Sequence, residues 1–253
     1  MLLNIRRVAL SLTAGLTLLA SPITEAATIS WSSATTIAGD TDVSTAGSLV
    51  AAFNFGNTGV GTTTVNGVQF DPFVIINNSP SATVGNYTYA ANSPALLGSS
   101  NLIGGGATFA ALTPSYKALL GTGGGGFGGD AGDVLTLGGL TVGQTYQFQW
   151  WWSASINGQV VVNTTATAGN AITLNATAGG IGEYAIGTFV ADAATQTIGF
   201  SNPTFSYGLN GFQLRDLGTT GGPTGVPLPP AVWMGLAAGA LAVIRSRAGA
   251  RAA

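Results

Sequence analysis

The sequence predicts an all-β fold, an antiparallel β-sandwich with a helical segment at each end. From Thr28 onward, short runs rich in Val, Ile, Thr, Phe, Tyr and Trp are broken every eight to twelve residues by Gly, Asn, Asp or Pro, the spacing typical of sandwiches and barrels. The chain has 39 glycines, but 46% hydrophobic and 9% aromatic residues suffice to bury a core. Apolar runs at the two ends lack this β-pattern and predict an N-terminal signal helix and a short C-terminal apolar helix.

These features divide the 253 residues into four parts. We expect a signal peptide over residues 1–26, one β-sandwich domain over residues 27–217, a Gly/Thr/Pro linker over residues 218–225 and a C-terminal tail over residues 226–253. A central stretch of this length suits a single domain.

The N-terminus has the three regions of a secretory signal peptide. Arg6 and Arg7 precede an apolar run at residues 8–20, and small residues follow it. Cleavage after Ala26 places Thr24 and Ala26 at the two small-residue positions. The alternative is a buried first helix.

The body is predicted to consist of strands with one helix. The expected strands are residues 28–31, 49–55, 63–70, 73–76, 134–137, 146–153, 159–164, 171–174, 183–190, 196–201 and 208–217. Residues 114–120 break the β-pattern and predict the helix.

The clearest strand carries four aromatic residues on one face. Period-two alternation places Tyr146, Phe148, Trp150 and Trp152 towards the core. It places Gln147, Gln149 and Trp151 on the opposite face, which we expect to be partly exposed. Trp151 is therefore a candidate ligand contact, since an exposed indole provides a platform for a sugar ring. Trp31, Trp150 and Trp152 could contribute to the same platform, but core packing explains three of these four tryptophans at least as well.

The C-terminal tail begins with a proline-rich motif. The motif is formed by Val226, Pro227, Leu228, Pro229 and Pro230. Apolar residues continue to Ile244, with Trp233 near one predicted membrane interface and Arg245, Arg247 and Arg251 beyond the other. The positive-inside rule places these arginines in the cytoplasm and the body outside. About 14 residues follow the prolines, and at ~1.5 Å per residue they are shorter than a ~30 Å hydrocarbon core.

A proline motif, an apolar helix and an arginine cluster behind a signal peptide resemble the PEP-CTERM sorting domain. The resemblance covers residues 226–251 and implies an exported protein that is held in the membrane and cut near the prolines by an exosortase, a membrane-embedded cysteine protease. Leu228 stands where the family name has Glu, so this is a Val-Pro-Leu-Pro variant. An ordinary C-terminal membrane anchor is the alternative.

Two segments of the body resemble galactose-binding-like or jelly-roll domains of secreted bacterial proteins. They are the Leu-x-x-Gly-x-x-Tyr segment that ends at Tyr146 and the closing Asn-Gly-Phe-Gln-Leu-Arg strand that ends at Arg215. The resemblance implies an architecture and does not specify a ligand.

Composition excludes several classes of site. The chain has no Cys and no His, which removes thiol nucleophiles, disulfides, imidazole bases and the metal sites built from these residues. Between residues 27 and 225 two basic residues, Lys117 and Arg215, stand against eight acids. We therefore expect no nucleic-acid partner, because phosphate binding needs clustered Lys and Arg.

The remaining candidate sites are weak. Asp130 and Asp133 lie in a Gly-rich stretch, residues 121–133, where flexible oxygen ligands suit Ca²⁺. We favour a flexible surface loop there. No pair of carboxylates is singled out for glycosidase chemistry. We therefore assign no catalytic residue, no metal and no cofactor.

These observations predict an exported, non-catalytic protein of the cell envelope or extracellular matrix, sorted through its C-terminal tail. The expected partners are an exosortase-type protease and the membrane. A carbohydrate-binding module attached to exopolysaccharide is the alternative, and a secreted hydrolase is a third. Intact termini on the mature protein would contradict the processing.

Overall fold

The structure is a computed structural model that describes residues 27–92, 95–103, 107–126, 132–154, 163–174, 180–201 and 208–219. Within these ranges it contains sixteen strands and one α-helix. The strands are β1 (Ser30–Trp31), β2 (Thr35–Thr36), β3 (Ser48–Gly56), β4 (Thr63–Val65), β5 (Val68–Val74), β6 (Ser81–Val84), β7 (Tyr87–Ala90), β8 (Leu96–Ser100), β9 (Thr122–Gly126), β10 (Asp133–Gly138), β11 (Thr145–Trp152), β12 (Thr164–Ala168), β13 (Asn170–Leu174), β14 (Glu183–Val190), β15 (Thr195–Ser201) and β16 (Gly211–Gly218). The helix, α1, is Pro114–Leu120.

Two sheets pack face to face and confirm the predicted all-β class. The larger sheet has eight strands in the order β1-β14-β11-β16-β3-β5-β4, with β2 also paired to β14. The smaller has six strands in the order β13-β12-β15-β10-β7-β6. Aromatic side chains of the two sheets meet between them, with ring centroids 5.2 Å apart for Phe53 and Tyr87, and 5.1 Å apart for Trp150 and Phe200. This interface is the main core of the protein.

The strand pairing departs from a purely antiparallel arrangement at one place. Strands β3 and β5 run parallel, with Phe53 opposite Asp71. The connection between them contains β4, which forms an antiparallel hairpin with β5. The chain therefore reverses twice before β5 reaches the edge of β3.

The predicted strands at residues 63–70 and 73–76 are wrong in their boundaries. Asn66 and Gly67, with φ of 48° and 74°, form a tight turn that splits the first into β4 and β5, because both residue types tolerate positive φ. Strand β5 then continues through Pro72 to Val74. Since β4 pairs only with residues 68–70, Pro72 has a paired strand on one side only, where proline is tolerated.

The Gly-rich stretch at residues 121–133 is not a surface loop throughout, which corrects that expectation. Thr122–Gly126 forms β9 and pairs with β8, and its glycines 123–126 are buried. Close contact explains the glycines, since a Cβ on Gly124 would lie 2.0 Å from Ile75 Cδ1.

A second hydrophobic layer covers part of the outer face of the larger sheet, the face turned away from the smaller sheet. Helix α1 begins and ends where the sequence predicts, and Thr113 accepts a hydrogen bond from Tyr116 N at its N-terminus. Its Tyr116, Leu119 and Leu120 pack with Ile37 and Val43 against Trp151.

Both expected terminal helices lie outside the described residues. The predicted signal peptide ends at residue 26, and the structure describes nothing after Thr219. Strand β16 ends at Gly218, one residue beyond the predicted end of the domain. None of the helices in the described ranges is long and apolar enough to cross a membrane.

Candidate functional site

Trp151, the candidate ligand contact, is fully buried. It lies on the face opposite to the main core, as alternation predicts, but the second hydrophobic layer covers that face. Its ring packs edge-on against Phe70 at a centroid distance of 5.5 Å, and its Nε1 donates a 3.0 Å hydrogen bond to the Tyr116 hydroxyl. The prediction of a partly exposed surface at Trp151 is therefore wrong, because α1 and the segment around Val43 cover the indole.

The Tyr116 hydroxyl connects Trp151 to a carboxylate. It donates to Asp42 Oδ2 at 3.4 Å, and the same oxygen accepts hydrogen bonds from Ala38 N and Gly39 N at 2.7 and 2.9 Å. Burial, together with the negative charge of Asp42, raises the pKa of Tyr116 far above its usual range. Tyr116 therefore donates as a neutral phenol at every physiological pH.

A buried polar cluster lies beside Trp151 on the same outer face. Gln149 and Gln213 are opposite each other on β11 and β16, and Gln213 Nε2 donates to Gln149 Oε1 at 2.6 Å. Gln149 also donates to Asp42 O at 2.6 Å and accepts from Ser44 N at 2.9 Å. These bonds hold residues 42–47, the covering loop, against the sheet.

Arg215 extends this cluster towards the end of β16. The side chain is 6% exposed, and its guanidinium donates to the carbonyls of Thr45, Ala46 and Gly47. Burial lowers the pKa of Arg215, and the carbonyl oxygens satisfy its donors in place of a carboxylate. The only arginine in the described ranges therefore stabilises the covering loop and is not free to bind an external anion.

Asn210 fixes the opposite end of the same two strands. Its Nδ2 donates to the carbonyls of Leu120, Thr122 and Ser153 at 2.8–3.0 Å, and its Oδ1 accepts from Ser153 N at 2.6 Å. The residue is fully buried. One amide thus joins the end of α1, the start of β9 and the end of β11.

A small pocket opens at one end of the smaller sheet and contains Asp133. Its volume is about 220 Å³, and its lining includes Asn92, Asp133, Thr167 and Ser201. Asp133 is buried at the start of β10, whereas Asp130 lies outside the described residues. The pocket is smaller than the ~300 Å³ at which ligand sites usually begin. It offers carboxylate, amide and hydroxyl groups to a small polar group.

Sequence reasoning finds Asp133 but not its neighbours. Asn92, Thr167 and Ser201 lie on three separate chain segments, and no local pattern connects them. In the described part of the chain, no three Asp or Glu residues are placed to hold a metal ion. The calcium hypothesis thus has one described carboxylate, Asp133, to support it.

The sorting motif and membrane-tail residues predicted from the sequence lie outside the described residues. They are Val226, Pro227, Leu228, Pro229, Pro230, Trp233, Arg245, Arg247 and Arg251. Their roles stay predictions from the sequence.

Comparison with known proteins gives no relative from which a function can be transferred. No protein-family model matches the chain, and neither the characterised proteins nor the solved structures contain a significant match.

Proposed function

We propose that this protein is an exported, non-catalytic component of the cell envelope or extracellular matrix, sorted through its PEP-CTERM-like tail. The proposal includes removal of residues 1–26 on export and recognition of the Val-Pro-Leu-Pro motif by an exosortase-type protease. The body in this account is a jelly-roll-like domain similar to galactose-binding-like domains.

The position of β16 carries the proposal. This last strand lies between β11 and β3 in the larger sheet, hydrogen-bonded on both sides, and it ends at Gly218 immediately before the linker. A force applied to the tail therefore acts on a central strand that is hydrogen-bonded along both edges, and not on a strand at the edge of the sheet. Such an attachment suits a domain tethered by its C-terminus.

The chemistry of the described surface supports a non-catalytic role. Its exposed charges are almost all acidic, because Arg215 is buried and Lys117 on α1 is the other described cation. Among the described residues, Asp133 is the one carboxylate that lines the pocket, whereas hydrolysis of glycosides needs two facing carboxylates. Without His or Cys, the chain also lacks imidazole bases and thiol nucleophiles.

Expression with and without a partner exosortase tests the proposal. With the protease present, we expect the body in the envelope or medium and the tail removed. Replacing Pro227 and Pro229 by Ala should leave an uncut, membrane-bound precursor, while the same replacement at Pro72 within β5 serves as the control for processing. Equal processing of the parent protein, the Pro227/Pro229 variant and the Pro72 variant would contradict recognition of the motif.

A carbohydrate-binding module is the second candidate, favoured by the position of the pocket. Strand β10 begins at Asp133 and ends at Gly138, and six residues connect it to Thr145, where β11 begins. The end of the sandwich near Gly138 is thus the end that leads to Gly218, because Thr145 pairs with Gly218. Asp133 lies at the far end. A tethered body would present this pocket away from the membrane.

Retention on immobilised exopolysaccharide tests this second candidate. Asn92→Ala and Ser201→Ala should reduce retention if the pocket binds glycan, whereas Thr83→Ala, on edge strand β6, should not. No retention of the parent protein on neutral or acidic glycans would exclude the carbohydrate role and leave the matrix role standing.

A further inference from the structure

The exposed large hydrophobic residues are concentrated at one end of the larger sheet. Among the described residues seven such side chains are exposed. Five of them lie at the end where the chain leaves the domain, which we call the exit end: Leu49, Val50, Val142, Val190 and Leu217. The other two, Val74 and Ile76, lie at the opposite end, since β5 runs parallel to β3 and Val74 is level with Gly56.

Strand pairing places three of the exit-end residues on neighbouring levels of the larger sheet. Leu49 is opposite Arg215 on the outer face, Leu217 lies two residues further along β16, and Val190 is opposite Thr145 on that face. With ~4.8 Å between strands, Leu49 on β3 and Val190 on β14 belong to an apolar zone that is about 14 Å wide across the strands, and they are offset by two residues along them. Val142 extends this zone in the turn before β11, where Gly143 N bonds to Ala191 O.

Two β-bulges occur at this end. Leu217 is the extra residue where β16 pairs with β11, because Thr145 is opposite Gly218 and Tyr146 is opposite Asp216. Val50 is the extra residue where β3 pairs with β16. A bulge redirects a side chain at the cost of local ladder bonds. Here both redirected side chains are aliphatic and exposed, although burial is their more stable state.

The length of the chain between Thr219 and the apolar tail limits how far the exit end can lie from that tail. Six residues lie between Thr219 and Val226, and the seven Cα–Cα steps that join the two span at most about 25 Å. If the apolar segment that follows enters a bilayer at Val226, the exit end lies within about 25 Å of the lipid, which brings contact within reach. That segment is itself short, as a helix over residues 231–244 would reach about 21 Å of a ~30 Å hydrocarbon core.

An apolar exit end compensates for this shortfall. Apolar protein surfaces enter the boundary between headgroups and acyl chains by about 5–10 Å. This depth is similar to the difference between the ~21 Å helix and the ~30 Å hydrocarbon core. The charges at this end favour neutral lipid, since Arg215 is buried and Asp192 beside Ala191 is exposed. An anionic surface would repel it.

We propose that the exit end, formed by Leu49, Val50, Val142, Val190 and Leu217, is a membrane-docking surface that rests on neutral lipid while the C-terminal tail is in the bilayer. This inference rests on the proposed tail-mediated attachment and adds a second, direct contact between the folded body and the lipid. It assigns a function to the two bulges.

Fluorescent labelling tests this proposal. Because the chain has no cysteine, a dye attached to one introduced Cys reports from that position alone. Full-length Leu217→Cys and Val190→Cys variants, carrying an environment-sensitive dye, are reconstituted in phosphatidylcholine vesicles. Ile76→Cys, exposed at the opposite end, is the matched control. A quencher on the lipid acyl chains should remove most of the emission at positions 217 and 190 and leave position 76 unchanged.

Each other outcome overturns the docking. If the protein binds the vesicles but all three probes are quenched only by a water-soluble quencher, the docking is contradicted and the tail attachment stands. If the probes are protected from the water-soluble quencher in the absence of lipid, the chain's own tail covers this surface. If that protection increases with protein concentration, a second copy of the chain covers it. Protein that does not float with the vesicles overturns the tail attachment and the docking together. In a variant that combines Leu217→Ser and Val190→Ser, a probe attached at Leu49→Cys should become exposed to water. If the tail alone kept the probe near the lipid, these two substitutions would not change its exposure.

Discussion

The side chain of Asn210 holds the backbone of Ser153 with both of its polar groups. Asn210 Oδ1 accepts from Ser153 N at 2.6 Å, and Nδ2 donates to Ser153 O at 3.0 Å. The same Nδ2 reaches Leu120 O and Thr122 O. The bonds to Ser153 and Leu120 are buried, and the bond to Thr122 is partly buried, so water has little access to these groups if the amide is removed.

Replacing Asn210 by Ala should therefore destabilise the protein strongly. The change leaves carbonyls of three chain segments without this donor, and we expect a loss on the order of 3 kcal/mol in the free energy of unfolding. Denaturant unfolding measures it. Asn57→Ala is the control, since the Asn57 side chain makes exposed hydrogen bonds to Gly59 N and Ser100 Oγ, and it should cost less than about 1 kcal/mol.

Trp151 should affect stability and not ligand binding. Trp151→Ala removes a fully buried ring and should cost about 3–5 kcal/mol of unfolding free energy. Trp151→Phe keeps most of the packing but removes the donor to Tyr116, at a cost of about 1 kcal/mol. Folded Trp151→Phe should bind any glycan as well as the parent protein does. A selective loss of glycan retention in this variant would show that the indole is accessible.

Stability should fall in alkaline solution. Burial raises the pKa values of Tyr116, Tyr87 and Tyr184, and the charge of Asp42 adds to the rise at Tyr116 and Tyr184. A raised folded-state pKa gives stability that is complete below the unfolded value and decreases as pH rises beyond it. Above pH ~10 the unfolded tyrosines ionise while folded Tyr116 stays neutral.

The contribution of Tyr116 can be isolated. Each proton retained only in the folded state lowers the unfolding free energy by about 1.4 kcal/mol per pH unit above pH ~10. Tyr116→Phe should reduce this slope by one proton, which denaturant unfolding at several alkaline pH values detects. An unchanged slope would mean that Tyr116 ionises equally in both states.

The last strand should be essential for folding. A mature chain that ends at Thr219 retains β16 and should unfold cooperatively and resist protease. A chain that ends at Asn210 loses the strand between β11 and β3, and with it the buried Phe212 and Leu214. It should be protease-sensitive, without a cooperative transition. Cooperative unfolding of the shorter chain would show that β16 is dispensable.

Local pattern predicts the strands whose side chains differ between their two faces. Strand β11 has four aromatic residues in register with the core, and β14 occupies residues 183–190 as predicted. Helix α1 was recognisable because Tyr116, Leu119 and Leu120 do not alternate. In each case the information lies within eight residues.

Other elements lack such a signal or have one that is easily misread. The glycines of β9 have no side chains to alternate, so its burial depends on close contact with Ile75. Alternation places Trp151 opposite the core but does not reveal that α1, some thirty residues away, covers that face. The Asn66–Gly67 turn is different, because Asn-Gly is itself a strong hairpin signal that separates β4 from β5.

The candidate site residues divide in the same way. Asp133 is recognisable as an acid beside glycines, but Asn92, Thr167 and Ser201 meet it only through the pairing of distant strands. Arg215 looks like an exposed strand residue and is buried because the covering loop supplies three carbonyls. Contacts of this kind depend on the folded topology and not on neighbouring residues.

The intact mass of the mature protein tests the central claim most directly. Tail-sorted export predicts a species that begins at Ala27 and ends near residues 226–230, recovered from the envelope or the medium. A protein recovered with Met1 and the arginines at 245, 247 and 251 still attached would contradict it.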